Sequence, residues 1–520
     1  MGKHNTGLMS LPEEILLRIA NCVIGQNVRC FEIKYRPHLV RDLKLAAIAC
    51  YDFALTNTRL HRIISPLLYT AVWNDTPFMN KLIRRVVNAP SIAQNIRYVC
   101  WADTRQASNV AHQEGDLYAN GHPPHSTAEH VDQQTSIQEY DSMQPLQPPY
   151  FFFPEHDEDL AALLSLAPNT RWLEVALWNS DWSLWTNDQR DLILVWALCN
   201  LEIPRWLQYL SLATSPDSAS TIALRVQHLS VIHTRVGTTP LSYISDILRL
   251  PSLIRLTLDR VLQIHELETH KPVPWHCPAR SSSVRELYIT ESLIDTRMIA
   301  RLLSSPRALV QFHLHFPEGD IPQWWAGEPY LPYPRLCFRT LTPAILQHRD
   351  SLKTLGCWGV THRDSGFWPF YADPPVGRLG SLKSMHQLLY LGVHANATAM
   401  DELPKSLVML ELLSNAYQTP HEQQLLDDLA SFCASTSSKL REVSLIFDDR
   451  EPYLETEQGR RLIEQFLKEE VTVSLHNRYW RYDVHYSMGP PKKAFTGRYI
   501  HTKWYSKHEV FNLVDIARFE

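Results

Sequence analysis

The residues to test first for chemistry are the histidine–carboxylate groupings, and three stand out among the 520 residues. His265-Glu266-Leu267-Glu268-Thr269-His270 has the letters of a zinc-hydrolase helix. That chemistry needs two imidazoles four residues apart on one helix face, with a glutamate between them as the base. Here the histidines are five apart, so a helix would turn them to different faces. His348-Arg349-Asp350 and His362-Arg363-Asp364 share three letters with a phosphoryl-transfer catalytic loop. Neither has the asparagine that would hold a second metal, and no glycine-rich phosphate loop precedes them. His122, His125 and His130 lie close together in a polar stretch, with no thiolate beside them and no rigid frame to converge them on a metal. No catalytic residue, metal site or cofactor is expected.

The bulk properties point the same way. A net charge of −5 spread over this length gives no global attraction to nucleic acid or membrane. The nine cysteines are scattered without a C-x-x-C pair, which suits free thiols in a reducing compartment, cytoplasmic or nuclear. No apolar run approaches the length of a membrane span. What remains is a chain built to contact other proteins.

Apolar residues at relative positions 1, 4 and 6 recur along most of that chain. They occur at Ile96/Val99/Trp101, Trp172/Val175/Leu177, Leu207/Leu210/Leu212, Val226/Leu229/Val231, Leu253/Leu256/Leu258 and Val284/Leu287/Ile289. Further copies are Leu309/Phe312/Leu314, Leu352/Leu355/Cys357, Leu388/Leu391/Val393, Leu407/Leu410/Leu412 and Leu440/Val443/Leu445. The last two positions of each copy alternate, as in a short strand with one buried face. Between copies the spacing turns helical, most clearly over Leu241–Leu250, Thr296–Ser304, Leu425–Ser435 and Gln458–Glu469, and a further short helix is predicted over Phe78–Val87. This pattern resembles a degenerate leucine-rich repeat array, in which each unit leaves an apolar side that only its neighbour can cover. Parallel strands then place Thr257, Tyr288 and His313 side by side on an outward concave wall, with Tyr288 the best anchor for a target.

The chain opens on a different pattern. Ser10 and Glu13 have capping-box spacing, and Pro12 suits a first helical turn. Leu11, Ile15, Leu16, Ile19 and Val23 then follow at helical spacing. Leu55-Thr56-Asn57 leads through Leu60 and Ile63 to Ser65-Pro66-Leu67-Leu68-Tyr69. Together these ends resemble an F-box, particularly of fungal type, the helical module that docks on Skp1 and through it a cullin. The resemblance covers about seventy residues and departs at 25–40, which reads as an insertion. It implies Skp1 contacts from Leu11, Pro12, Ile15, Leu16, Ile19, Leu55, Leu60, Ile63, Pro66 and Leu67. It further implies a non-catalytic substrate adaptor of an SCF-type ubiquitin ligase. The alternatives are a Skp1-binding scaffold acting outside a ligase and an enzyme without recognisable motifs.

The expected fold is α/β: a small N-terminal helical F-box, an irregular leucine-rich repeat solenoid and a C-terminal β-hairpin cap. Residues 1–9 are a disordered start, 10–90 the helical domain, 91–450 the array, and 451–520 a helix and an aromatic hairpin. In that hairpin Trp480, Tyr482, Val484 and Tyr486 alternate with polar residues, as do Arg498, Ile500, Thr502 and Trp504 around theirs. Residues 103–149 are rich in Pro, Gln and His, lack apolar periodicity and read as a disordered insertion. Deleting 103–149 should therefore leave the melting temperature within a few degrees of the full chain. Loss of the cooperative transition would show that the segment belongs to the core.

Overall fold

The computed structural model describes residues 11–20, 51–73, 79–102, 157–177, 204–214, 225–239, 241–262, 274–290, 294–315 with 292, 336–358, 377–394, 397–414, 439–447, 471–477 and 483–486, with parts of 428–434 and 466–469. The expected insertions at 25–40 and 103–149 lie outside these residues, as do His265–His270, His362–Asp364 and the 498–504 arm of the C-terminal hairpin.

The first described helices are α1 (13–20), α2 (51–55) and α3 (Thr58–Leu68). Asn57 caps α3, its side chain accepting the Arg59 N–H at 2.7 Å. Ser10, the other half of the expected capping box, lies outside the described residues, and Glu13 also reaches a second helix. It pairs with Arg62 and lies 3.8 Å from Arg59, fastening the start of α1 to α3. Leu16, Ala20, Ala54, Leu60 and Ile64 close a small core of their own, separate from the main one.

The rest is one 13-stranded sheet in which every strand pairs with its successor in the chain. The strands are β1 (Ala71–Trp73), β2 (Tyr98–Ala102), β3 (Trp172–Leu177), β4 (His228–Thr238), β5 (Arg255–Leu262), β6 (Glu286–Thr290) and β7 (Gln311–His315). They continue as β8 (Thr354–Trp358), β9 (Tyr390–His394), β10 (Met409–Ser414), β11 (Glu442–Phe447), β12 (Thr472–Asn477) and β13 (Asp483–Tyr486). β1 to β12 run parallel, and β13 turns back antiparallel on β12. Parallel neighbours need crossover segments. Helices α4 (Met79–Asn88), α5 (Pro90–Ala93), α6 (Asp157–Leu166), α7 (Arg205–Leu212), α8 (Leu241–Ile247), α9 (Thr296–Ser304) and α10 (Phe338–Leu346) supply several of them. The chain is thus α/β, with an open and almost wholly parallel sheet.

Register makes the core continuous. Leu229, Leu256, Leu287, Phe312, Leu355, Leu391, Leu410 and Val443 stand opposite one another on successive strands, all with no measurable exposure. They join the buried faces of the helices in one cluster reaching from Val72 to Val471.

The sheet corrects several expectations. Leu207, Leu210 and Leu212 form no strand; they lie on α7, where Leu207 and Leu210 are buried and Leu212 is 58% exposed. A spacing of three is shared by the repeat pattern and a helix face, and a distant group decides between them. The buried Asp157 carboxylate accepts the N–H groups of Arg205 at 2.6 Å and Trp206 at 3.1 Å, capping α7 from the start of α6. In β3 the frame is shifted by two residues. Leu173 and Val175, not Val175 and Leu177, stand opposite Leu229 and Val231. The first strand of the sheet is β1 at Ala71–Trp73, and Val86 of α4 lies in the main core. The Tyr486 arm finds its partner in β12.

A second ladder runs beside the apolar one. A serine directly before the first apolar residue of a copy donates its hydroxyl to the first-position carbonyl of the preceding copy. Ser252 reaches Val226 O at 2.9 Å, Ser283 reaches Leu253 O at 3.0 Å, Ser351 reaches Leu309 O at 2.8 Å and Ser406 reaches Leu388 O at 2.8 Å. These bonds tie the turns that precede the strands. Each of Ser283→Ala and Ser406→Ala should cost about 1 kcal/mol in urea unfolding. Because the sites are far apart in the ladder, the two losses should add. An unchanged midpoint would mean that water replaces the hydroxyl.

Candidate functional site

Two surfaces are candidates, one on the helical unit and one on the sheet. On the helical unit the residues assigned to Skp1 divide into two groups. Leu16 is fully buried and Leu60 is 2% exposed, so both belong to the unit's own core. Leu11, Ile63 and Leu67 pack against that core from its margin, and Ile19 is half-buried. Pro12 and Pro66 are exposed, as are Ile15 at 38% and Leu55 at 61%. Tyr51, 54% exposed, precedes Leu55 by one helical turn on the same face of α2. Sequence reasoning missed Tyr51, which stands just before the described end of the unit's periodic pattern. A helical unit of this size with such exposed apolar side chains can offer them to a partner.

The sheet surface is the face opposite the helices. Alternation sends the residue between the two core positions onto this face. Thr257, Tyr288 and His313 do stand side by side on β5, β6 and β7, as expected. They are not open to solvent, being 6%, 6% and 7% exposed. Tyr288 donates a 2.5 Å hydrogen bond to Gln311 Oε1. Its ring lies between the Arg255 guanidinium, 5.5 Å from the centroid, and the His313 ring, stacked at 5.2 Å. His313 in turn reaches across β8 to stack on Tyr390 at 6.1 Å. Gly356 occupies the matching slot of β8, between His313 and Gly392. With no side chain there, the two rings can meet over the strand. Tyr288 is therefore a wall-forming residue and not an exposed anchor.

Charge on this face is handled by neutralisation. Arg255 and Glu286 form a 2.5 Å ion pair. Burial, with the Arg255 charge adding to it, lowers His228 and His313 to about 4, so both imidazoles are neutral at pH 7. Burial raises Glu174 and Glu411 to about 7. The Tyr390 hydroxyl, hydrogen-bonded to Glu411, pulls it back, and the Glu442 carboxylate pushes it further up. Taking a charge into such a site costs more than losing or keeping a proton.

Of the three groupings singled out for chemistry, the structure describes His348. Its Nδ1 accepts the Leu309 N–H at 3.2 Å and its Nε2 faces Leu303 O at 2.7 Å, so the imidazole pins two turns together. Among the described residues no group of His, Cys, Asp or Glu could hold a metal ion, and no helix is long and apolar enough to cross a membrane. No protein-family model matches the chain, and no curated protein matches it.

The pH dependence of Glu411 has a definite sign. Its folded value of about 7 lies above the ordinary 4.5, so the folded state holds a proton that the unfolded chain releases first. The stability this contributes is complete below pH 4.5 and is lost as pH rises through 7. Glu411→Gln keeps an acceptor for Tyr390 and removes the titration. The native chain should lose up to about 3 kcal/mol between pH 5 and 8 relative to the Gln variant. Parallel stability curves for the two proteins would refute the assignment.

Proposed function

We propose that the chain is a non-catalytic adaptor that docks through its N-terminal helical unit on Skp1, as an F-box does, and holds a target protein through its array. On this reading the array is an irregular leucine-rich repeat solenoid, and the chain serves an SCF-type ubiquitin ligase. The observation that carries the proposal is the division of the helical unit. A separate core of Leu16, Ala20, Ala54, Leu60 and Ile64 supports exposed Ile15, Tyr51 and Leu55. A module with its own core can be gripped by a partner without disturbing the array. The sequential order of the sheet, parallel from β1 to β12, supports the repeat reading, because each unit covers only its neighbours. Such a protein works by position, raising the local concentration of a target at the ligase.

The same division sharpens the mutational test. Leu16→Asp would put a charge in the unit's core and unfold it, so it reports on folding and not on contact. Ile15→Asp with Leu55→Asp alters side chains already in solvent. The double variant should keep its melting curve while Skp1 recovered in a pull-down falls at least about tenfold. Undiminished recovery would sink the docking assignment. Recovery of a cullin with the native chain would place the adaptor within a ligase, and Skp1 without a cullin would favour a scaffold role.

A further inference from the structure

The charges on the array are sorted by position. On the open face the acids Glu174, Asp259, Glu286, Glu411 and Glu442 are held on the strands themselves. The segments that lead into the strands are basic. Every strand from β2 to β11 is preceded by at least one Lys or Arg. Asp350 is the sole carboxylate in segments 94–97, 169–171, 225–227, 249–254, 279–285, 304–310, 347–353, 379–389, 403–408 and 439–441, and it already pairs with Arg349. This excess stands in a chain whose net charge is −5.

The fold lines these segments up along one edge. Backbone bonds run from Arg171 N to Arg97 O, Gln227 N to Arg171 O, Ile254 N to Gln227 O and Arg285 N to Ile254 O. They continue in the same manner through Lys353 to Arg441. Arg97, Arg171, Arg285, Lys353 and Arg441 stand on this ladder itself, whose rungs are about 4.8 Å apart, while Arg225, Arg249, Arg307, Lys383 and Lys405 lie a few residues before its other rungs. Arg171, Arg225, Arg280 and Arg285 are exposed and form no ion pair among the described residues. The guanidinium of Arg97 is held below its ordinary value, first by partial burial and then by the charges of Arg171 and Arg225. Like charges lined up this way repel one another within the molecule, and an external anion relieves that repulsion.

We infer that this edge is a docking surface for an extended acidic segment, rich in Asp and Glu, of a partner protein. Its chemistry fits that occupant better than a nucleic acid or a membrane. The strands from β2 to β7 are preceded by arginine alone, whose planar fork matches a carboxylate in two-bond geometry. An extended chain advances about 3.3 Å per residue, so successive or alternate acids can meet successive strands. No Phe, Tyr or Trp lies in these segments to stack on a base. None of the exposed large apolar side chains lies there to enter a bilayer. The assignment rests on charge placement alone and holds whatever the helical unit binds.

Labelled poly-L-glutamate tests it on the full-length chain by fluorescence anisotropy across a salt series. The native protein should bind, with affinity falling steeply as salt rises. Arg171→Glu, Arg225→Glu and Arg285→Glu together should weaken binding at least about tenfold and flatten the salt dependence. Arg84→Glu, Arg297→Glu and Arg339→Glu change net charge equally on helices α4, α9 and α10, and should stay within about twofold of native. Should the edge variant melt early, the corresponding Gln substitutions replace it and should give a smaller loss in the same direction. Absence of binding by the native chain, or equal losses in the two sets, overturns the inference. Tighter binding of duplex DNA or phosphatidylserine vesicles at equal salt also overturns it, and would reassign the edge.

Discussion

The structure depends on one constraint: no strand of the array can bury its own apolar residues. Leu256 and Leu258 are covered because Leu229 and Val231 stand on one side and Leu287 and Ile289 on the other. Strict parallel register follows, since a slip of one residue would turn the whole apolar set to the wrong face. The core is therefore a column and not a centre, and it can be extended by irregular units. A crossover can be a helix such as α9, a 3-10 turn at Met400–Glu402 or the irregular chain at 377–389, provided that the column is met. At the C-terminal end the antiparallel β13 takes the place where a further parallel strand would add.

Meeting the column on one face forces every intervening residue onto the other. Apart from Gly356 and Gly392 most of those residues are polar, and Ser230, Thr257, Tyr288, His313, Glu411 and Ser444 are buried. Burial is tolerated because His228 and His313 are neutral at pH 7, because the charged forms of Glu174 and Glu411 are partly suppressed, and because Arg255 and Glu286 pair at close range. Further cations, Arg171, Arg225, Arg280 and Arg285 among them, stand exposed on the turns before the strands. Burial on the face and exposure on the edge are thus two results of the same register, and the edge is the better placed to meet a partner.

The helical unit solves a smaller version of the problem. Around its few buried residues, Glu13 pairs with Arg62 between α1 and α3, and the Arg59 guanidinium bonds to Leu11 O at 3.1 Å. With its core satisfied internally, the unit leaves Ile15 and Leu55 free to act outward.

The sequence by itself determined the α/β class, the positions of most strands and several helices, with Thr296–Ser304 matching to the residue. Alternating and helical periods are local properties, and burial enforces them wherever a copy is regular. The sequence could not determine what distant groups decide. Leu207 and Leu210 satisfied the repeat spacing, but the Asp157 carboxylate caps a helix there, nearly fifty positions along the chain. Trp172 satisfied it as well, but pairing with β4 set the frame two residues earlier. Tyr288 was legible as an outward residue, while its burial depended on Arg255, Gln311 and His313 arriving from the two neighbouring strands. Leu16 and Ile15 are adjacent and equally apolar, and only packing against Leu60 and Ile64 made one a core residue and left the other at the surface. Periodicity records which side of an element is apolar; which apolar side chains stay uncovered is fixed by the neighbours that tertiary structure brings.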